Sequence, residues 1–475
     1  MRHRAIRPAI ALILLAPAPA AAASHLTAHP VGLAALAIFG LAYLLVMLEE
    51  FTRLRKSKPV ILAAGIIWAM IAWVHAGTGL SAEVEAALKH NLLEFAELFL
   101  FLLAAMTYVN AMEERNVFDA LRAWLIRRGF GYRRLFWLTG GLAFFLSPVI
   151  DNLTTALVMC AVVLAVGRDD RRFVGLACIG IVVAANAGGA FSPFGDITTL
   201  MVWQKGLVDF QAFFVLFIPS AVNYLVPAAL MHLAVPRGTP APETETVALK
   251  RGAVPIMVLF ALTIVTAVSF HNLLHLPPML GMMTGLGLLQ IYGYYLKKTH
   301  RPRPGDVPGY GTAGDVLPMA HRGYDIFQRI ARAEWDTLLF FYGVVLAVGG
   351  LGFLGYLALA SQAMYAGLGP TLANVLVGLL SAVVDNIPVM FAVLSMEPQM
   401  SLGQWLLVTL TAGVGGSLLS IGSAAGVALM GQARGAYTFF THLRWTPAVA
   451  LGYAAAIGAH LWLNARWFAL PAPAV

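Results

Sequence analysis

Two short stretches put carboxylates where a chain this apolar gives them no obvious partner. Residues 146–152 read LSPVIDN and residues 380–386 read LSAVVDN, so Asp151–Asn152 and Asp385–Asn386 each interrupt an apolar run. Asp196 closes a third stretch, GGAFSPFGD at 188–196, and Glu94, Glu97 and Asp336 also fall inside apolar segments. An ionised acid at the centre of a bilayer costs at least about 2.5 kcal/mol on insertion scales. The same runs offer almost no lysine or arginine to pair with these acids. A buried acid left without a counter-charge either takes up a proton or binds a metal cation. Competition between those two ligands for one carboxylate is the physical basis of exchanging cations for protons.

The polar residues around the acids are hard oxygen donors: Asn152, Thr154, Thr155, Ser192, Thr198, Asn386, Ser420 and Ser423. Such donors suit an alkali cation better than a transition metal. Asp151 with Asn152, together with Asp196 and the carbonyls near it, is expected to form the main cation site. Asp385 with Asn386 and the segment from Gly415 to Ser423 is expected to form its symmetry mate. Asn186 joins the set as an amide whose plainer role is packing, the role also expected of His271, His275 and His460. The 12 histidines form no ligand pattern, and no cofactor is expected. Cys160 and Cys178 lie in apolar segments with no metal-site spacing and read as packing residues.

Plainer explanations exist for the acids as well. Asp151 and Asp385 could be N-caps of the helices that follow them, but Ser, Thr or Asn would cap without the burial cost. Asp196 could cap a half-helix, and the residue aligned with it in the other half is the neutral Ser423. Glu94 and Glu97 are expected near the start of their span, which suits a solvated interfacial position for Glu94. Glu97 aligns with Asp336, ELFLFLL at 97–103 against DTLLFFY at 336–342, which supports a shared role for that pair.

The elements that must position these residues follow from composition. Of the 475 residues 60% are hydrophobic and 11% charged, so the chain is an all-α polytopic membrane protein in expectation. The net charge of +8 comes from clusters between apolar runs, as the positive-inside rule requires, and argues for topology rather than nucleic acid. Residues 1–23 have the basic start, apolar stretch and small-residue end of a signal-like segment. Ten candidate crossings lie near 32–49, 59–76, 91–112, 173–203, 210–233, 253–272, 276–297, 336–356, 403–431 and 440–465.

The two Asp-Asn regions, 136–167 and 367–397, are expected to be re-entrant hairpins rather than crossings. The first is flanked on both sides by arginines, so both its ends should face the cytoplasm. The second lies in a stretch from Ala333 to Ala433 without any Lys or Arg, which suits entry from outside. Opposite hairpins imply an inverted repeat, and five of seven residues are identical between LSPVIDN and LSAVVDN. GGAFSPFGD aligns without gaps on GGSLLSIGS at 415–423, with three glycines in register. Each of these runs should break its helix. The first repeat is thus expected over 24–234, with its broken helix at 173–203. A cytoplasmic linker should occupy 235–252. The second repeat is expected over 253–475, with its broken helix at 403–431.

The Asp-Asn tips, the GGAFSPFGD break and its GGSLLSIGSAAGVALM counterpart resemble the NhaD-type sodium/proton antiporters of the ion transporter superfamily. The resemblance covers most of the chain after the signal-like segment. It implies a homodimer in the bacterial inner membrane, surrounded by lipid, that moves sodium or lithium against protons. Related anion/sodium symporters are similar but carry Ser-Asn-Thr at the tips, where this chain has DNL and DNI. Two acidic tips would repel a dicarboxylate. A transporter for a dicarboxylate or arsenite, the rival reading, calls for a cation at the tips, and the tip sequences contain none. No nucleophile–base set lies in the spans, which argues against an enzyme.

Overall fold

The computed structural model of the chain describes residues 26–52, 54–167, 170–239, 247–299 and 330–471. The signal-like segment 1–23 and residues 300–329 lie outside them. Among the described residues the secondary structure is helical, and the one β contact is an isolated bridge between Ser401 and Pro471.

The chain opens with α1 (Pro30–Met47), a short α2 (Glu49–Thr52), α3 (Ser57–His75) and α4 (Ser81–Glu114). Next come α5 (Val117–Arg127), α6 (Tyr132–Ile150), α7 (Asn152–Val166), α8 (Arg171–Gly189), α9 (Ile197–Gln204) and α10 (Phe217–His232). After the linker follow α11 (Ala253–Leu274), α12 (Pro278–Lys298), α13 (Trp335–Phe353) and a short α14 (Tyr356–Ser361). The remainder is α15 (Pro370–Ser381), α16 (Asn386–Met396), α17 (Leu402–Gly415), α18 (Ala424–Gln432), α19 (Phe439–Leu443) and α20 (Thr446–Leu463).

Eight of the described helices are long and apolar enough to cross a membrane, fewer than the ten crossings expected. The run 403–431 divides into α17 and α18, each too short alone. Helix α12 is long enough but less apolar, because it carries Gln290, three tyrosines, Lys297 and Lys298. The run 173–203 also divides: α8 stops at Gly189 and α9 starts at Ile197, with Pro193 and Gly195 in the link. A second departure concerns α4, whose 34 residues start at Ser81 rather than near 91. At 1.5 Å per residue it is about 51 Å long and overshoots a hydrocarbon core of about 30 Å. Glu94 and Glu97 lie more than three turns inside this helix, whose length exceeds that of the span.

The centre of the molecule is built from the first parts of the two broken helices. Every residue of α8 from Phe173 to Gly189 is buried, and so is all of α17. Helix α6 packs on α8 and α15 packs on α17. Glycine makes this approach possible: a Cβ at Gly188 would overlap the carbonyl oxygen of Phe144, and one at Gly415 would overlap that of Gly378. Ser147 Oγ donates to the Ala185 carbonyl at 2.6 Å, and Ser381 Oγ donates to the Ala412 carbonyl at 2.8 Å. Helices α7 and α16 pack on α8 and α17, the helices that follow them, and each also reaches across to the other helix break. Helix α7 packs against α18, and α16 packs against α9. The free thiols of Cys160 and Cys178 lie buried in this core, 3.8 Å apart.

Candidate cation site

These cross contacts bring both Asp-Asn turns and both helix breaks to one place. Asp196 ends the first break in extended conformation, and its Oδ1 accepts the Thr198 backbone N–H at 3.1 Å. Its Oδ2 accepts from Asn152 Nδ2 at 3.0 Å and from Asn386 Nδ2 at 2.9 Å. Asn152 Nδ2 also lies 3.1 Å from Asn186 Oδ1, and Asn186 Nδ2 donates to Ser423 Oγ at 3.1 Å. Ser423 in turn caps α18 by accepting the Gly426 N–H at 3.3 Å. Asn386, Asp196, Asn152, Asn186 and Ser423 thus form one hydrogen-bonded row across the two breaks. Among the described residues no lysine or arginine pairs with Asp196. Its charge meets neutral amide donors and the N-terminus of α9, where an anion is favoured.

Three further oxygens near these turns are buried without a hydrogen-bond partner among the described residues: Thr155 Oγ1, Thr198 Oγ1 and Ser420 Oγ. Leaving a buried hydroxyl unpaired costs about 1–3 kcal/mol, so each is a candidate donor toward a small cation. They come from the first turn of α7, the first turn of α9 and the second break. Those are the positions the sequence marks.

The other expected residues are placed differently. Asp151 does not join the row. Its Oδ1 accepts the Thr154 N–H and its Oδ2 accepts the Thr154 hydroxyl, both at 2.8 Å, so it caps α7. The capping explanation therefore describes its contacts, and Thr154 is occupied by them. Asp151 is also the single residue between α6 and α7, with φ 83° and ψ 157°. That backbone region is essentially glycine's, and a side chain held there stores about 1–3 kcal/mol of strain. Ser192 ties the first break to the first turn by donating to the Pro148 carbonyl at 2.8 Å.

Asp385 corrects the expectation that the turns have no cation. Lys56 Nζ lies 3.3 Å from Asp385 Oδ2, with the two side chains only 14% and 12% exposed. In the sequence Lys56 belongs to the basic cluster TRLRKSK, where it reports topology. In the fold it turns inward. Glu94 also has a cation, Lys205, and His90 beside it. Glu97 lines a cavity of about 300 Å³ with His90, Glu94, Gln204 and Lys205, away from the hydrogen-bonded row. Asp336 accepts from Ser57 Oγ in the first turn of α13. The structure brings neither Glu97 nor Asp336 into the row.

Residues overlooked in the sequence are Lys56, Ser147, Ser381 and Thr199, whose hydroxyl binds the Ser192 and Asp196 carbonyls at 2.7 and 2.6 Å. Ser147 and Ser381 are identical positions of the two seven-residue stretches, and that identity was the available signal. His271 packs edge-on against Trp203, and His460 is buried against the Gly403 carbonyl, in keeping with packing roles. His275 ends α11.

Comparison with known proteins adds to this geometry. The citrate transporter family model matches residues 10–413. The Na(+)/H(+) antiporter NhaD of Alkalimonas amylolytica is 61% identical over 461 residues, covering 95% of this chain and 94% of that protein. The Na(+)/H(+) antiporter NhaD of Vibrio cholerae is 61% identical over 464 residues, covering 96% of both chains. Sodium/proton antiporter 1 of Arabidopsis thaliana is 32% identical over 449 residues, covering 91% of this chain and 73% of that protein. With identity sustained over nearly its whole length, and with both Asp-Asn turns and both helix breaks converging on one row of polar side chains, the chain belongs to the NhaD-type sodium/proton antiporter family.

Proposed function

We propose that this protein is a secondary active transporter that exchanges sodium or lithium for protons across the bacterial inner membrane. The observation that carries the reading is Asp196, a buried carboxylate held by Asn152 and Asn386 from two different turns. The NhaD relatives are named as antiporters of the same pair of ions. In this reading Asp196 is the group that either binds the alkali ion or carries a proton. Asn152, Asn186, Asn386, Thr155, Thr198, Ser420 and Ser423 supply neutral oxygens, and Asp151 and Asp385 supply further charge. Glu97 and Asp336 serve ion access at a distance from the row.

The proposed architecture is two inverted repeats, 24–234 and 253–475, joined by a cytoplasmic linker at 235–252. Regions 136–167 and 367–397 are re-entrant hairpins. Support comes from matched contacts: Ser147 with Ala185 against Ser381 with Ala412, and Gly188 on Phe144 against Gly415 on Gly378. Movement of the hairpin-bearing parts would expose the row to alternate sides. A homodimer surrounded by lipid belongs to the same proposal and rests on the family resemblance.

A dicarboxylate symporter is the rival, and the matching family model carries the name citrate transporter. Lys56 supplies a cation at one turn, but Asp385 already binds it, and Asp151 and Asp196 remain acidic. An anionic substrate would meet excess negative charge. The test is proton movement in inverted membrane vesicles whose lumen has been acidified by respiration. Alkalinisation on adding sodium or lithium, but not choline, supports exchange. Absence of any response, with uptake of a labelled dicarboxylate, would replace it with symport.

A further inference from the structure

The two Asp-Asn turns satisfy their aspartates by different means. At the first, Thr154 stands three residues after Asp151 and supplies both an N–H and a hydroxyl. At the second, the corresponding residue is Pro388, which has neither. Asp385 makes no cap with its own helix, and its Oδ1 is buried without a partner among the described residues. The contact that replaces the cap is Lys56, delivered from the start of α3, with its ammonium 3.3 Å from Oδ2 and 4.5 Å from the centre of the Phe340 ring.

Lys56 and Asp385 both line a cavity of about 230 Å³. Two more acids, Glu49 and Glu334, line the same cavity, at the ends of helices on the side of the TRLRKSK cluster. A lysine leaving Asp385 therefore has other carboxylates within the same space. The ammonium is a single charge on a flexible stem, unlike a guanidinium locked by a planar fork. It can occupy the carboxylate and give it up.

We propose that Lys56 is a tethered cation that occupies Asp385 whenever the transported ion does not, so that an alkali ion reaches this turn by displacing the lysine. The inference rests on the exchange reading above and adds a built-in competitor to it. Charge at Asp385 is the same in both states, one carboxylate facing one cation. Lys56 thereby lowers the apparent affinity for the ion and drives its release. The first turn has no such competitor, because Thr154 is neutral.

The test is sodium-driven proton movement by the full-length protein in proteoliposomes, comparing wild type with Lys56→Gln and Lys56→Arg. Lys56→Gln is expected to lower the half-saturating sodium concentration by about ten-fold, since the binding-competent fraction rises, and to lower the maximal rate because release loses its replacement charge. Lys56→Arg is expected to stay near wild type in half-saturation. A purely structural ion pair would reduce the maximal rate through loss of folded protein and leave half-saturation unchanged, which overturns the inference. Arg and Gln variants with equally lowered half-saturation would also overturn it. Should Lys56→Gln turn over too slowly, the sodium concentration that half-maximally protects the purified protein against heat is measured instead. A value below wild type supports the tethered cation, and an equal or higher one rejects it. Wild type without any sodium-driven proton movement would sink the exchange reading itself and the inference with it.

Discussion

Asn152 and Asn386 donate to the same oxygen of Asp196, at 3.0 and 2.9 Å. Each stands immediately after the aspartate of its own turn, so the identical dipeptides serve one shared acceptor from two directions. Hydrogen bonds to a charged group are worth about 1.5–3 kcal/mol, so Asn152→Ala and Asn386→Ala should each reduce exchange by about ten-fold or more. Because the acceptor is shared, the double variant should lose less than the product of the single losses. Sodium-dependent proton movement, normalised to protein in the membrane, checks this. Independent, multiplicative losses would show that the two amides do not act on one group.

Asp151 separates backbone strain from charge. Glycine adopts φ 83° and ψ 157° freely, so Asp151→Gly should be more stable to heat in detergent than Asp151→Ala, by about 1–3 kcal/mol. Both variants lack the carboxylate and should lose exchange, as should Asp151→Asn, which keeps an oxygen able to accept the Thr154 N–H. Full exchange by Asp151→Asn would reduce Asp151 to a helix cap and remove it from the cation set.

Much of this arrangement was legible in the sequence, for local reasons. The helix breaks at 190–196 and 416–423 announce themselves through glycine and proline, which weaken a helix wherever it is packed. The Asp-Asn turns stand out because charge is rare in apolar runs. What the chain could not announce is long-range pairing. Lys56 meets Asp385 across 329 positions, and nothing near either residue marks the other. Thr154 reads equally as a cation ligand or as the partner of a cap, because an oxygen donor and a capping donor look alike in sequence. Helix α4 starts ahead of its apolar run because its first residues, SAEVEAALKH, are too polar to read as part of a span.

The matched glycines offer a test of the repeat that does not depend on transport. A methyl at Gly188 or Gly415 meets a carbonyl oxygen of the neighbouring helix, and forcing extra volume into such a contact costs about 1–3 kcal/mol. Gly188→Ala and Gly415→Ala should lower thermal stability by similar amounts. Gly141→Ala and Gly458→Ala, where no atom lies within 4 Å of the added methyl, should not lower it. Unequal losses at the two matched sites would argue that the halves do not bear load in the same way.

The neutral Ser423 at the position aligned with Asp196 permits relocation of the charge. Asn186 donates to Ser423 and lies against Asn152, which donates to Asp196, so positions 196 and 423 belong to one row, linked through two asparagines. Asp196→Ser should abolish exchange, because the acid between the two asparagine donors is gone. Ser423→Asp alone should also impair it, since a second carboxylate on the row repels the first and raises the burial cost. The combination Asp196→Ser with Ser423→Asp restores a single carboxylate on the row, facing the Asn186 amide. It should recover exchange to within about ten-fold to a hundred-fold of wild type, the range expected when one hydrogen bond to the charge is lost. Measured in inverted vesicles with equal protein content, recovery would show that the site requires one acid on the row rather than an acid at position 196. A double variant as inactive as Asp196→Ser would show that the extended break before α9, and not the row, fixes where the charge must stand.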